Sequence, residues 1–269
     1  MYQTYLDFAL EIAKTAGEII KNNFVMNMKK ELKFDNTPVT ETDLAINDLI
    51  IAKITEKFPG HSIMWEEKSE EITSAKYMRI CDPVDWTIPF SHGVPVCVFS
   101  LWLLEDGQPI VAVAYDPFMD RLFYASKWNW AFMNWKPIKV GDYDNLNNVL
   151  IWMEWWKWMK SIRDYSAIDE YLTETFNCQI TKYNSIIYTW MMVASWEFWA
   201  ILFPWNKPWD MVTIELIVEE AGWKVTNLVW EKNRYDVQWG CFWMIASNGI
   251  LHDELLTLVK QNLNTQINN

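Results

Sequence analysis

The chain has 269 residues, 51% hydrophobic and 22% charged, enough for one large core or two fused smaller ones and too apolar for disorder. Its 35 acidic residues against 23 basic ones give a net charge of −12. That balance excludes a nucleic-acid or anionic-membrane surface, where Lys and Arg supply most of the affinity.

Along residues 1–24, Leu6, Ala9, Leu10, Ala13, Ala16 and Ile20 recur at helical spacing with charges between them, which predicts an amphipathic helix of a folded domain and not a signal peptide. A second helix is expected near 41–58, followed by strand-like runs at 77–81, 95–104, 109–115 and 121–125. The segment GDYDNLNN (141–148) is the most turn-rich. After it come a strand-like VLIWM, a helix near 160–174, alternating elements and a C-terminal helix in LHDELLTLVKQNL. The fold class read from this order is α/β, with an α+β N-terminal half (1–145) and an alternating α/β C-terminal half (146–269) sharing one layered structure. No run of eighteen apolar residues free of charge occurs, so no membrane span and a cytoplasmic location are expected. Cys81, Cys97, Cys178 and Cys241 are widely spaced with no CxxC or CxxxH pattern. They read as buried free thiols in a reducing compartment, neither a zinc site nor a disulfide framework.

Carboxylates gather in four short segments: VTETD (39–43), WEEKSEE (65–71), DPVDWT (82–87) and PWD (208–210). A run such as Glu66, Glu67, Glu70 and Glu71 alone is a solvated helix face. DPVDWT differs, because the apolar YMRIC before it reads as a buried strand, and Asp82 and Asp85 then sit where that strand leaves the sheet. Pro83 holds Asp82 extended and stiffens the loop. Two carboxylates three residues apart, with the Val84 carbonyl between them, can converge on one hard cation, and Mg²⁺ fits such a set. A helix beginning after Trp86–Thr87 would aim its free N–H groups at the same place and hold a phosphate. Taken alone, the hexamer is equally an Asp-Pro turn with a capping aspartate.

These segments, with PFSHGVP, NSIIYTWMMVASWEF, IVEEAGWKVTNL and ASNGILHDELL, resemble the inositol monophosphatase family in order and spacing over nearly the whole chain. The resemblance implies a layered αβαβα sandwich, commonly a homodimer, with two or three Mg²⁺ ions as cofactor. It implies metal ligands at Glu66, Asp82, the carbonyl of Val84, Asp85 and Asp210. Asp43 and Thr87, with Glu66, match the catalytic positions that orient and deprotonate the attacking water; Trp86, Thr87, Ser185 and Ile186 match phosphate- and substrate-binding positions. Without the resemblance, Asp43 and Thr87 read as a helix N-terminal carboxylate and a capping hydroxyl. Lys33 reads as a surface lysine, and His61, His92 and His252 have no metal-ligand spacing, His92 being a backbone-bonding residue.

The implied reaction is hydrolysis of a small phosphate monoester, and the partner is a phosphorylated metabolite. Inositol 1-phosphate leads, but a sugar-binding glutamate of the family falls on Phe203, which cannot hydrogen-bond hydroxyls. Histidinol phosphate, fructose 1,6-bisphosphate and adenosine 3′,5′-bisphosphate are alternatives. A metal- or phosphate-binding homologue without turnover is the other class of reading.

Glycine is only 8 of 269 residues while tryptophan reaches 19, against a usual glycine share of roughly 7%. Trp65, Trp86, Trp128, Trp130, Trp135, Trp196, Trp223 and Trp230 stand where the resembled family has glycine. Asn134–Trp135 sits where a hairpin turn needs φ > 0 at both central residues, and an indole at 86 stands where phosphate must approach the backbone. One hypothesis is that these are glycines whose UGA codons were read as tryptophan; UGG codons at 86, 135 and 223 would remove it.

Overall fold

A computed structural model of the chain describes residues 2–33, 37–65, 75–142, 144–153, 166–181, 185–195, 197–205, 215–227 and 242–264. Helix α1 (Gln3–Asn23) buries Leu6, Ala9, Ala13, Ala16 and Ile20 along one stripe, as its spacing dictates. A two-stranded ribbon, β1 (Lys30–Leu32) and β2 (Pro38–Thr40), leads into α2 (Glu41–Lys57), which buries Ile46, Ile50 and Ile54 one turn apart.

Both helices lie on one face of a seven-stranded sheet. Its strands run in sequence order: β3 (Ser62–Trp65), β4 (Tyr77–Asp85), β5 (Val98–Glu105), β6 (Gln108–Asp116), β7 (Arg121–Ser126), β8 (Ala131–Met133) and β9 (Lys136–Ile138). β3 is parallel to β4 and every later pair is antiparallel. The two-residue side-chain period sorts β5 into two cores: Phe99, Leu101 and Leu103 face α1 and α2, while Val98, Trp102 and Leu104 face the opposite way. Because both faces are covered, β5 reads as an apolar run interrupted only by Ser100 before its terminal Glu105.

The opposite face packs on α5 (Ile186–Ala194) and on α6, residues 215–220. Beyond them lies a five-stranded mixed sheet in the order β11-β10-β12-β14-β13, formed by β10 (Leu150–Met153), β11 (Gln179–Thr181), β12 (Ala200–Trp205), β13 (Lys224–Thr226) and β14 (Phe242–Ser247). In β10, Trp152 joins the central core and Ile151 the outer one, where α4 (Ser166–Phe176) and α7 (His252–Asn264) close the last layer. The layers are therefore α, β, α, β, α, the α/β class the sequence led us to expect.

The short elements are what periodicity misses, because three or four residues carry too little pattern. β1, β2, β3, β8 and β9 are of that kind. β4 also runs further than expected, through Asp85. Cys81, Cys97 and Cys178 are free and buried; Cys241 lies outside the described residues. The expected hairpin is present: Met133 pairs with Lys136, leaving Asn134 and Trp135 as the turn with φ of 47° and 69°. Trp223 is 4% exposed and part of the central core. Trp196 and Trp230 lie outside the described residues.

Candidate active site

The C-terminal end of β4 is where the buried carboxylates collect. Asp82 pairs with Ser100 and Asp85 with Val98, and the register shifts between them, so the strand bulges where Pro83 offers no N–H to the ladder. Asp82 Oδ1 accepts the Val84 N–H at 3.0 Å, an Asx turn that fixes the carboxylate beside its own backbone. Thr87 opens the short helix α3 (Thr87–Ser91), and its hydroxyl donates to the Val84 carbonyl at 3.0 Å. A carbonyl has two lone pairs, so this bond leaves Val84 O able to ligate.

Asp85 is held from a distant part of the chain. Its Oδ2 accepts the Ser185 hydroxyl at 2.6 Å and the Ile187 N–H at 2.9 Å. Ser185 is the N-cap of α5, and its Oγ also accepts the Tyr188 N–H at 3.1 Å. The N-terminal end of α5 therefore faces the Asp85 carboxylate, which favours its charged form. Ser185 and Ile186 were expected to bind substrate; the described contacts of Ser185 orient Asp85, and Ile187, which sequence reasoning passed over, supplies the second bond.

Asp43 is the third residue of α2 and closes a capping box with Thr40. Its Oδ2 accepts the Thr40 N–H at 2.8 Å and the Thr40 hydroxyl at 2.5 Å, so the capping role read from sequence is realised. α3 packs against β2, which brings Thr87 and the start of α2 to the same side of the sheet. Asp43, Asp82, Asp85 and Thr87 are all buried. Their nearness registers on Cys97, whose thiol is pushed well up by burial and then by the negative field of Asp116, Asp85, Asp43 and Asp82. Asp116 was not singled out from sequence, although Asp-Pro at 116–117 repeats the pair at 82–83. It accepts the N–H groups of Phe118 and Met119 and closes the turn after β6; burial raises its pKa.

Glu66, Glu67 and Asp210 lie outside the described residues, and among the described residues no three His, Cys, Asp or Glu side chains form a metal-holding group. What is present fits a hard divalent cation in kind: two buried carboxylates and a carbonyl between them, all oxygen donors. Lys33 is half-buried, with its N–H on the Thr37 carbonyl. The histidines stand apart. His92 contacts the Ile88 carbonyl through Nδ1 at 2.7 Å, His61 stacks between Phe58 and Tyr77, and His252 is buried between Thr226 and Ser247.

Beside these carboxylates opens a cleft of about 570 Å³ lined by Trp86, Val94, Arg121, Tyr188, Met192 and Phe198, among others. Trp86, the N-cap of α3, has φ 78° and ψ 44°. Its indole N–H is buried and has no hydrogen-bond partner among the described residues.

Two buried aspartates with a backbone carbonyl between them at a strand end are oxygen donors of the kind a hard cation takes, and the layered αβαβα fold around them is shared with known phosphatases. The inositol monophosphatase family matches residues 1–264. Inositol monophosphatase 3 of Solanum lycopersicum is 33% identical over 238 residues, 82% of this chain and 84% of the relative. A fructose-1,6-bisphosphatase/inositol-1-monophosphatase of Aquifex aeolicus is 29% identical over 261 residues, 96% of each chain. The solved inositol monophosphatase of Anabaena superposes with a TM-score of 0.83 at 29% identity, covering 97% of this chain and 96% of its own. The chain belongs to the inositol monophosphatase family, and so to the phosphatases. No described helix is long and apolar enough to cross a membrane.

Proposed function

We propose that this chain hydrolyses a small phosphate monoester, an inositol-1-phosphate-like or related sugar or alcohol phosphate, with Mg²⁺ as cofactor. The observation that carries this reading is the buried pair Asp82 and Asp85 flanking the Val84 carbonyl at the end of β4, with Asp85 tied by a 2.6 Å bond to a residue 100 positions away. Buried carboxylates need compensating charge or hydrogen bonds, and a cation between Asp82 and Asp85 would add to the hydrogen bonds they already accept.

Asp82, the Val84 carbonyl and Asp85 would hold the ion, together with Glu66 and Asp210 by resemblance. When bound, Mg²⁺ neutralises phosphate oxygens and makes water a better nucleophile near neutral pH. The remaining work belongs to the protein. Asp43 accepts a proton from the attacking water. Thr87 donates its own hydroxyl proton to Val84 O, so its lone pairs are left to receive and orient that water. The N–H groups at positions 86 and 87 cradle the phosphate, and the adjacent cleft takes the alcohol. Its walls combine apolar Val94, Met192 and Phe198 with Arg121, Tyr188 and Glu197, polar groups able to bond the hydroxyls of a small alcohol. The family association supports a homodimer in the cytoplasm.

A panel of phosphomonoesters assayed for phosphate release with Mg²⁺ and with chelator tests this. Release that requires Mg²⁺ and falls by roughly 10²–10⁴-fold in Asp85→Asn is expected. Release unaffected by chelator or by that substitution would refute it. The second reading, binding without turnover, draws on Trp86, whose indole occupies the cleft wall between Asp85 and Thr87 in sequence; tight phosphate binding with no release would favour it.

A further inference from the structure

Among the described residues, ten that are not glycine have φ between 47° and 78°. Six are Asn or Asp: Asn27, Asp106, Asp120, Asn134, Asn148 and Asn177. Their short polar side chains tolerate the left-handed region. The other four are all tryptophan, at 86, 128, 130 and 135, with φ of 78°, 65°, 60° and 69°. No Leu, Phe, Tyr or Met of the described chain is found there, although these are collectively far more numerous than tryptophan. Bulk alone therefore does not explain the selection.

Each position is fixed by something other than its own side chain. The pairing of Met133 with Lys136 makes Asn134 and Trp135 a two-residue hairpin loop, and both φ values are positive, the geometry for which Asn-Gly is the preferred pair. Around Asn129, the N–H groups of Trp128, Asn129 and Trp130 all point at the Glu220 carboxylate, at 2.6, 3.1 and 3.0 Å, so the turn is shaped by its backbone. The three indoles have little packing to compensate their strain, being 75%, 63% and 66% exposed. At 86 the indole N–H is buried with no partner among the described residues, where such a group normally finds one. Its side chain makes no capping bond to α3. The glycine and tryptophan counts, 8 and 19, err in the matching directions.

We propose that positions 86, 128, 130 and 135 are glycine in the protein that its own cell makes, each tryptophan being a glycine codon read with the wrong table. At 86 the change reaches the active site. Trp86 lines the cleft together with Arg121 and Tyr188 and directly follows Asp85 in the chain; glycine there would remove the indole from the cleft wall and uncover the backbone N–H of residue 86. Residue 86 thus decides whether substrate enters, and the other three decide whether the hairpin end of the sheet is strained.

The test is the identity of the residues in protein purified from its native cells. The proteolytic fragment 128–139, bounded by Lys127 and Lys139, and a fragment spanning 82–94 are read by mass spectrometry. Glycine at all four positions is expected, and tryptophan at any one overturns the proposal. A second measurement uses recombinant protein. Trp128→Gly, Trp130→Gly and Trp135→Gly should each raise the melting temperature by about 2–4 °C, and no rise in the triple variant would also overturn it. Only the effect at 86 rests on the phosphatase reading: Trp86→Gly should raise phosphate release on the order of 10²-fold. Native protein with glycine at all four positions that releases no phosphate would leave the glycine inference standing and overturn the function instead.

Discussion

The end of β4 and the β7–β9 hairpins belong to one sheet, yet they relate to their residues in opposite ways. Along β4 up to Asp85, sequence and backbone agree, although Trp86 just beyond it does not fit its φ of 78°: Pro83 falls where the ladder breaks, Asp82 closes its own turn, and Asp85 meets a helix N-terminus. At the hairpins, the backbone takes the conformation the pairing demands while the side chains at 128, 130 and 135 oppose it. Tryptophan in the left-handed region costs roughly 1–2 kcal/mol per residue, a sizeable part of a total stability of about 5–15 kcal/mol. The difference teaches that strand pairing and the Glu220 contacts hold these turns against the tryptophans, and that glycine at 128, 130 and 135 would bring the hairpins into the same agreement as β4.

If agreement at the β4 end reflects a built site, removing its support should damage function more than fold. Ser185→Ala deletes one of the two described donors to Asp85 and also uncaps α5. We expect phosphate release to fall about 10–100-fold, with a loss of about 1–3 kcal/mol in stability. Ser185→Thr, which keeps the hydroxyl, should recover much of the activity. Activity unchanged in Ser185→Ala would break the contrast at its stronger end.

The outer core responds to pH in a calculable direction. His252 is fully buried between Thr226 and Ser247, and burial, aided by Lys224 and opposed by Asp253, holds its pKa down to about 4. Unfolded, the same histidine titrates near 6.5. Between those values the unfolded chain binds more protons, so stability is complete above pH about 6.5 and falls as pH drops toward about 4. The loss is on the order of 2 kcal/mol, read as a declining melting temperature, and His252→Gln should flatten much of that slope. His61, also held down to about 4 by burial and then by Arg79, adds a smaller slope of the same sign.

The smallest expected effect sharpens the hairpin side of the contrast. Glu220→Ala removes the acceptor of three N–H groups in the 128–130 turn. Because the turn is exposed and water can replace the carboxylate, the cost is about 1–2 kcal/mol. Urea unfolding measures it, and a change within error would mean that the strand pairing alone holds the turn.

What was legible follows from range. Stripes on α1 and α2 and the apolar run before Asp82 are local patterns, and each reads directly, whereas the Asn134–Trp135 turn was legible only through the family resemblance. Asp82 and Asp85 could be singled out because proline, strand and carboxylates occur within one hexamer. The tether from Ser185 and Ile187 could not, since its partners are 100 and 102 residues away and a lone serine before an apolar run signals only a helix cap. Glu220 was hidden for the same reason, lying 92 residues from Trp128. Asp116 was missed although an Asp-Pro pair was there to mark it.

The measurement that bears most directly on the site is Mg²⁺ binding to the folded chain by calorimetry, beside Asp82→Asn and Asp85→Asn checked for native circular dichroism. Binding weakened about 10–100-fold in each folded variant is the expected result. Equal Mg²⁺ affinity in the chain and both variants would contradict a cation site at the end of β4.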